Sequence, residues 1–338
     1  MKIAVLCHYF WPEVGAPQAR WRELTGHWTS QGESLTVLTA FPNHPSGKVA
    51  EGYRRCLKRE EFMGEVRLVR TWLYATPNEA LVKKTLGHLS FALSSVVVGG
   101  PAMGRQDVVV VSSPTFFSIG SGWALSKLRK SKFVVEVRDL WPGIFIDLGV
   151  LRNKALISLL QRIELSAYRS ADAVVVVSEG FKTNITSRGI DSDKLTVIPN
   201  GADVELFAPR PPNPAIREHL GGGPDEALIL YVGAHGISQG LSTVIDAASR
   251  LRNEGVHFAL VGEGAEKSQL QSLVEERKLR NVTMLPSVAR NEVPDLIAAA
   301  DICLVPLRDV PLFQTFIPSK MFEYLAMGKA VIGSVSGE

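Results

Sequence analysis

The residues best suited to chemistry lie near the end of the chain, in Pro318-Ser319-Lys320-Met321-Phe322-Glu323. Pro318 and Ser319 are expected to open a helix, Gly328 to stop it, and Ala330-Val331-Ile332 to continue as a strand. The first turn of such a helix offers unpaired N–H groups and the positive end of the helix dipole. Lys320 adds a full charge beside them, so the pattern suits a phosphate. Glu323, one turn on, is placed to accept hydrogen bonds from hydroxyls. An ordinary capped helix closing a βαβ unit accounts for the same residues equally well.

A second set, Arg138-Asp139-Leu140-Trp141-Pro142, follows a Val-rich strand. A carboxylate within hydrogen-bond reach of a hydroxyl can take its proton, which makes Asp139 a candidate base with Arg138 beside it. A helix cap or a simple Arg138–Asp139 pair is the alternative. Ser178 and Glu179 follow another strand, where capping is a sufficient explanation. Gly15 and Ala16 follow the first strand and let a backbone approach a ligand closely, or form a plain turn. Arg20, further along that segment, is expected to solvate its helix. In the second half, Gly233, Gly236 and Gln239 lie on a glycine-rich strand-to-helix turn able to cradle a pyrophosphate. His235 in the same turn is a secondary candidate, since a lone histidine is more often structural.

These residues need elements to hold them. Short β-branched runs begin at Ile3, Leu35, Val66, Asp107, Phe133, Ala173 and Leu195, then at Ala227, His257, Val282, Ile302 and Ala330. They alternate with helical patterns, which predicts an α/β protein with parallel sheets. A length of 338 residues favours two domains. The Pro- and Gly-rich stretch 209–225 separates a domain over 1–208 from one over 226–338, both Rossmann-like and facing a cleft. The chain stops soon after a strand, so the second domain is expected to be truncated.

Composition removes several function classes. A net charge of +3 with dispersed Lys and Arg fits an anionic small molecule or a membrane surface, and no nucleic acid is expected. Three scattered cysteines, Cys7, Cys56 and Cys303, form neither a disulfide framework nor a zinc motif. The GxGxxG fingerprint of dinucleotide enzymes is absent after the first strand. The apolar run 86–103 approaches membrane-spanning length, but Gly99, Gly100, Pro101 and His88 argue against a spanning helix. A buried or membrane-facing surface helix is expected, with Phe91 and Leu93 among its apolar residues and Lys83, Lys84 and Arg105 at its ends.

The joint order D-x-W-P, P-N-G-x-D, G-x-x-G-x-x-x-G-L and P-S-K-x-x-E, at Asp139, Pro199, Gly233 and Pro318, resembles the GT4 family of GT-B glycosyltransferases, in particular its WbuB/WcaI-like branch. The resemblance implies a retaining, metal-independent transferase with no cofactor. It would move a sugar from a nucleoside diphosphate, UDP first among them, to a lipid-linked or saccharide acceptor in cell-surface polysaccharide synthesis. It also implies a cytoplasmic protein, with peripheral contact at the inner face of the plasma membrane. By the same resemblance Gly15, Ala16, Gly233, Gly236, Gln239, Pro286, Pro318, Ser319, Lys320 and Glu323 bind the nucleotide sugar, with Glu323 on the ribose and Pro286 near the base. Asp139, Arg138 and Glu179 lie toward the reacting sugar and the acceptor. Three departures stand out: Ala234 and Gln239 replace the usual Arg and Lys, and Thr315 replaces the first glutamate of an acidic pair. A nucleotide-sugar-binding protein, a GT-B epimerase and an NAD-dependent oxidoreductase are the rival readings.

Overall fold

The computed structural model describes residues 1–13, 15–43, 46–76, 81–113 and 116–338. Its internal contacts divide the chain into two units, Met1–Pro199 and Asn200–Glu338.

The first unit is built on strands β1 (Lys2–Leu6), β2 (Ser34–Ala40), β3 (Lys58–Met63), β4 (Val66–Thr71), β5 (Val108–Ser112), β6 (Lys132–Val137), β7 (Ala173–Val176) and β8 (Leu195–Val197). They form one sheet in the order β3-β4-β2-β1-β5-β6-β7-β8. Apart from the antiparallel β3–β4 pair, neighbouring strands run parallel. Val5, Val37, Val109, Val111, Val135 and Val174 are fully buried, as expected when helices cover both faces of a sheet. Chain order reverses beside β1, with β2 on one side and β5 on the other. In open parallel sheets such a reversal marks the ligand crevice at the strands' carboxyl ends.

Strand β3 is absent from the sequence expectation because Lys58-Arg-Glu-Glu-Phe-Met63 carries charge on both faces. It lies at a sheet edge, where charged side chains block further pairing. Its glutamates meet basic partners, Glu60 with Lys58 at 2.8 Å and Glu61 with Arg70 at 2.8 Å.

The apolar run becomes a helix, Leu81–Ser94, continued by a wider turn Ser95–Gly99 and a last turn Gly100–Met103. Thr85–Met103 is long and apolar enough to cross a membrane by length and composition. One face packs on the sheet: Phe91, Ser95, Gly99 and Met103 are buried, and Ser94 Oγ donates to Thr71 Oγ1. The opposite face exposes Leu86, Leu89, Leu93 and Val97. Of the buried and membrane-facing alternatives, Phe91 takes the first and belongs to the core, while Leu93 is outside. The Lys84 side chain lies outside the described residues.

The second unit carries a parallel sheet, β11-β10-β9-β12-β13, made of β9 (Ala227–Val232), β10 (Val256–Val261), β11 (Val282–Leu285), β12 (Ile302–Pro306) and β13 (Ala330–Ser334). Here the reversal falls beside β9, between β10 and β12. The Pro- and Gly-rich stretch is structured and packs within this unit. Asn213 caps the helix Pro214–His219 through Ala215 N at 3.0 Å, Leu220 is buried, and Arg210 pairs with Asp295 at 2.9 Å.

Candidate functional site

In the second unit, the carboxyl ends of β9 and β10 and the helix Ser319–Ala326 after β12 converge at the reversal point. Gly233 N donates to Val261 O (2.9 Å), His235 N to Glu263 O (2.8 Å) and Gly262 N to Leu285 O (3.1 Å), which ties the three strand ends together. A Cβ on Gly262 would overlap the Gly233 carbonyl, and one on Gly233 would stand 3.0 Å from Lys320 Nζ. The glycines are thus fixed by close approach of backbone and cation.

Lys320 lies in the first turn of its helix, with its ammonium 4.5 Å from the centre of the Tyr231 ring and 3.2 Å from Tyr231 Oη. Tyr231 Oη in turn donates to Ala234 O at 2.7 Å. Burial lowers the Lys320 pKa to about 8 against the opposing pull of Glu323. The lysine remains charged at neutral pH, and its ring contact keeps a desolvated cation in place without a tight ion pair. The helix is entered through Pro318, whose extended backbone supplies no side-chain cap. Met321 N donates to Pro318 O at 3.0 Å, and no side chain caps the Ser319 and Lys320 N–H groups among the described residues. Ser319 opens the helix.

Glu323 sits one turn below and accepts from Arg290 Nη1 at 3.1 Å. Arg290 also lies over the Phe207 ring at 5.2 Å. The carboxylate expected for ribose hydroxyls is thus held by a cation that sequence reasoning missed. Pro286 is exposed just after β11, while Gly236 and Gln239 frame a short 3₁₀ turn, Ile237–Gln239. Arg308 N donates to Ser238 O at 2.9 Å, linking that turn to a cavity of about 290 Å³ lined by Leu307, Arg308, Phe313 and Val335. Neither Gln239 nor Lys320 lines that cavity. His235 is fully buried, and neither ring nitrogen has a hydrogen-bond partner among the described residues. Burial first, then Lys267, depresses its pKa to about 4, so it is neutral.

The first unit is arranged differently. Gly15 precedes the helix Ala16–Ser30, again without a side-chain cap; Val14 and the Ala16 side chain lie outside the described residues. Arg20, expected to solvate this helix, instead donates from Nε to buried Glu136 at 2.8 Å and from Nη1 to Pro199 O at 3.2 Å. Ser112 Oγ donates to the second Glu136 oxygen at 2.8 Å. A glutamate inside the run Phe133-Val-Val-Glu-Val137 was the available signal: a charge in a buried parallel strand requires a partner.

Arg138 and Asp139 follow directly at the end of β6. Burial raises Asp139 to about 6, with Arg138 pulling the other way. Arg138 buries Nε and Nη1 with no acceptor among the described residues, and burial pushes its pKa down. His8 and His88 bring their Nδ1 atoms to 3.2 Å beside Phe91. Glu179 is exposed in the first turn of the helix Glu179–Ser187, whose cap is Ser178 Oγ, accepting from Phe181 N at 3.1 Å. The structure therefore gathers Gly233, Pro318, Ser319, Lys320 and Glu323 in one unit, and Gly15, Arg138 and Asp139 along the same sheet edge of the other. Among the described residues, no three His, Cys, Asp or Glu side chains cluster as metal ligands.

Residues 15–201 match a glycosyl transferase 4-like domain, and residues 226–338 match the glycosyl transferases group 1 model. The chain is 28% identical, over 97% of its length and 82% of the relative's, to a putative colanic acid biosynthesis glycosyl transferase, WcaI, of Escherichia coli K12. Further curated glycosyltransferases are matched over about half their length. Among solved structures, a sucrose-phosphate synthase from Thermosynechococcus elongatus superposes with TM-score 0.73 at 20% identity, covering 99% of this chain and 81% of that one. Anabaena HepE in complex with UDP and glucose superposes with TM-score 0.69 at 16% identity, covering 100% and 81%. These likenesses show a GT-B fold.

Proposed function

We infer the reaction from one premise: the chain belongs to the glycosyltransferases with a 4-like first domain and a group 1 second domain, and is a transferase. We propose that its donor is a nucleoside-diphosphate sugar, with UDP as the nucleotide. The observation that carries this reading is the Lys320 ammonium held over Tyr231 in the first turn of an uncapped helix, beside Gly233. A cation and unpaired N–H groups aimed at one place suit a diphosphate, and they substitute for the charges missing at Ala234 and Gln239. The complex of HepE with UDP and glucose supports UDP.

The proposed transfer retains configuration. The bond from sugar C1 to the diphosphate oxygen breaks, the acceptor oxygen bonds C1 on the same face, and the acceptor proton passes to a phosphate oxygen of the leaving group. Lys320 and the helix dipole stabilise the departing charge, a role that requires no metal. In this scheme Asp139 orients the acceptor side and Glu323 exchanges Arg290 for ribose hydroxyls. The similarity to WcaI supports an acceptor in cell-surface polysaccharide synthesis, either lipid-linked or saccharide, met in the cytoplasm. Peripheral membrane contact belongs to the same proposal: Leu86, Leu89, Leu93 and Val97 form an exposed apolar stripe, with Lys83 and Arg105 exposed at its ends.

Calorimetry with UDP, GDP, ADP and NADH tests the donor. UDP is expected to bind best, and Lys320→Ala to weaken it by about 2 kcal/mol, as for a lost charged hydrogen bond. NADH binding above UDP, or UDP affinity unchanged in a folded Lys320→Ala variant, would sink the assignment. Release of UDP from UDP-sugar only with acceptor present separates transfer from epimerisation.

A further inference from the structure

Arg138 is a charged group of the first unit that the donor chemistry leaves unused. Its neighbour Glu136 is already committed, to Arg20 at 2.8 Å and to Ser112 at 2.8 Å. Asp139, next in the chain, attracts it but forms no hydrogen-bonded ion pair with it among the described residues. Two guanidinium N–H groups, Nε and Nη1, are consequently shielded from water with no acceptor among the described residues, although the residue as a whole is only half-buried. A buried donor on a cation without an acceptor is costly, and an oxyanion ligand removes that cost.

The surroundings favour an amphiphilic ligand. Trp141 stacks on Phe116 with ring centres 4.3 Å apart and meets Phe145 at 5.9 Å and Phe117 at 6.5 Å. Trp141, Phe117 and Phe145 are half-exposed, and such a surface accepts the apolar face of a sugar or an isoprenoid chain. The helix Lys154–Ser170 then exposes Leu156, Leu159 and Ile163 on one side, at helical spacing.

We propose that the carboxyl end of β6 is an acceptor subsite for an oxyanion, which Arg138 binds while the Trp141 cluster holds the adjoining sugar or lipid. This rests on the transferase reading and narrows its acceptor class to anionic molecules. The oxyanion has two possible sources with one chemistry, the phosphate of a lipid-linked acceptor or the carboxylate of an acidic sugar.

The test is calorimetry of farnesyl phosphate, farnesol, methyl glucuronide and methyl glucoside against the full chain and its Arg138→Gln and Arg138→Lys variants, with UDP titrated into each preparation. At least one anion is expected to bind the parent chain about tenfold tighter than its neutral counterpart, the scale of one charge-assisted contact. That preference disappears in Arg138→Gln, persists in part in Arg138→Lys, and leaves UDP affinity unchanged. Preference for farnesyl phosphate alone assigns the anion to a lipid phosphate; preference for the glucuronide alone assigns it to an acidic sugar. Equal affinity of each anion and its neutral counterpart for the parent chain overturns the proposal without any variant, as does a preference that survives in Arg138→Gln. Anion preference without UDP binding supports the subsite and overturns the donor reading instead.

Discussion

The two units hold charge in opposite ways. In the second, Lys320 rests on an aromatic ring beside Gly233 and in the first turn of a helix. In the first, charges gather at the end of β6: Arg20 is paired with buried Glu136, while Arg138 and Asp139 form no close ion pair among the described residues. A backbone cradle binds phosphate through geometry that many sequences can supply, whereas buried charges bind through specific side chains that are costly when mismatched. The second arrangement suits a constant ligand part such as a diphosphate, and the first a part that differs from enzyme to enzyme.

The contrast predicts the largest stability effect in the first unit. Glu136→Ala leaves Arg20 partly buried without its partner and should cost about 3 to 5 kcal/mol in chemical denaturation, the range for breaking a buried pair. A loss no greater than that of an exposed pair would place this charge cluster on a par with the surface. Asp139→Asn should act in the other direction. A folded pKa raised to about 6 means that folding is penalised in full above that pH, and that the penalty shrinks as pH falls and is gone only below the unfolded carboxyl's value of about 4. The variant should therefore be more stable than the parent at pH 8, by about 2 kcal/mol, with the gap closing toward pH 4. A pH-independent gap would show that the carboxyl is not desolvated.

In the second unit, charge should be visible in binding. Lys320 binds a diphosphate as the ammonium, so UDP affinity should fall as pH rises through the lysine's value of about 8. Lys320→Arg, which stays charged throughout, should abolish that fall. A parent profile flat to pH 9.5 would mean that Lys320 does not face the diphosphate. The smallest effect is expected on the outer helix. Leu89→Ser together with Leu93→Ser should lower sedimentation with anionic liposomes several-fold while leaving the melting temperature within a few degrees, since both side chains are exposed. Unchanged sedimentation would assign that stripe to another partner.

Much of the fold was legible in the chain. The runs from Ile3 to Ala330 alternate with helical patterns because parallel strands buried on both faces must be apolar throughout, and that constraint is local in sequence. The cluster Pro318 to Glu323 was legible for the same reason, since helix entry, charge and spacing all fall within one turn and a half. Strand β3 was not, because an edge strand with charge on both faces carries no apolar period. Nor was the fate of Arg20, whose partner Glu136 lies 116 positions away. The same limit applied to Glu323, held by Arg290 from a loop 33 positions upstream, and to Phe91, which shares a helix with exposed Leu93 but faces the sheet. The sequence by itself determined the α/β class, the motifs at strand ends and the missing charges at Ala234 and Gln239. Only the tertiary structure decided which charges neutralise one another and which, like Arg138, are left to wait for a ligand, because ion pairing depends on distances of a few ångströms between residues that chain order keeps far apart.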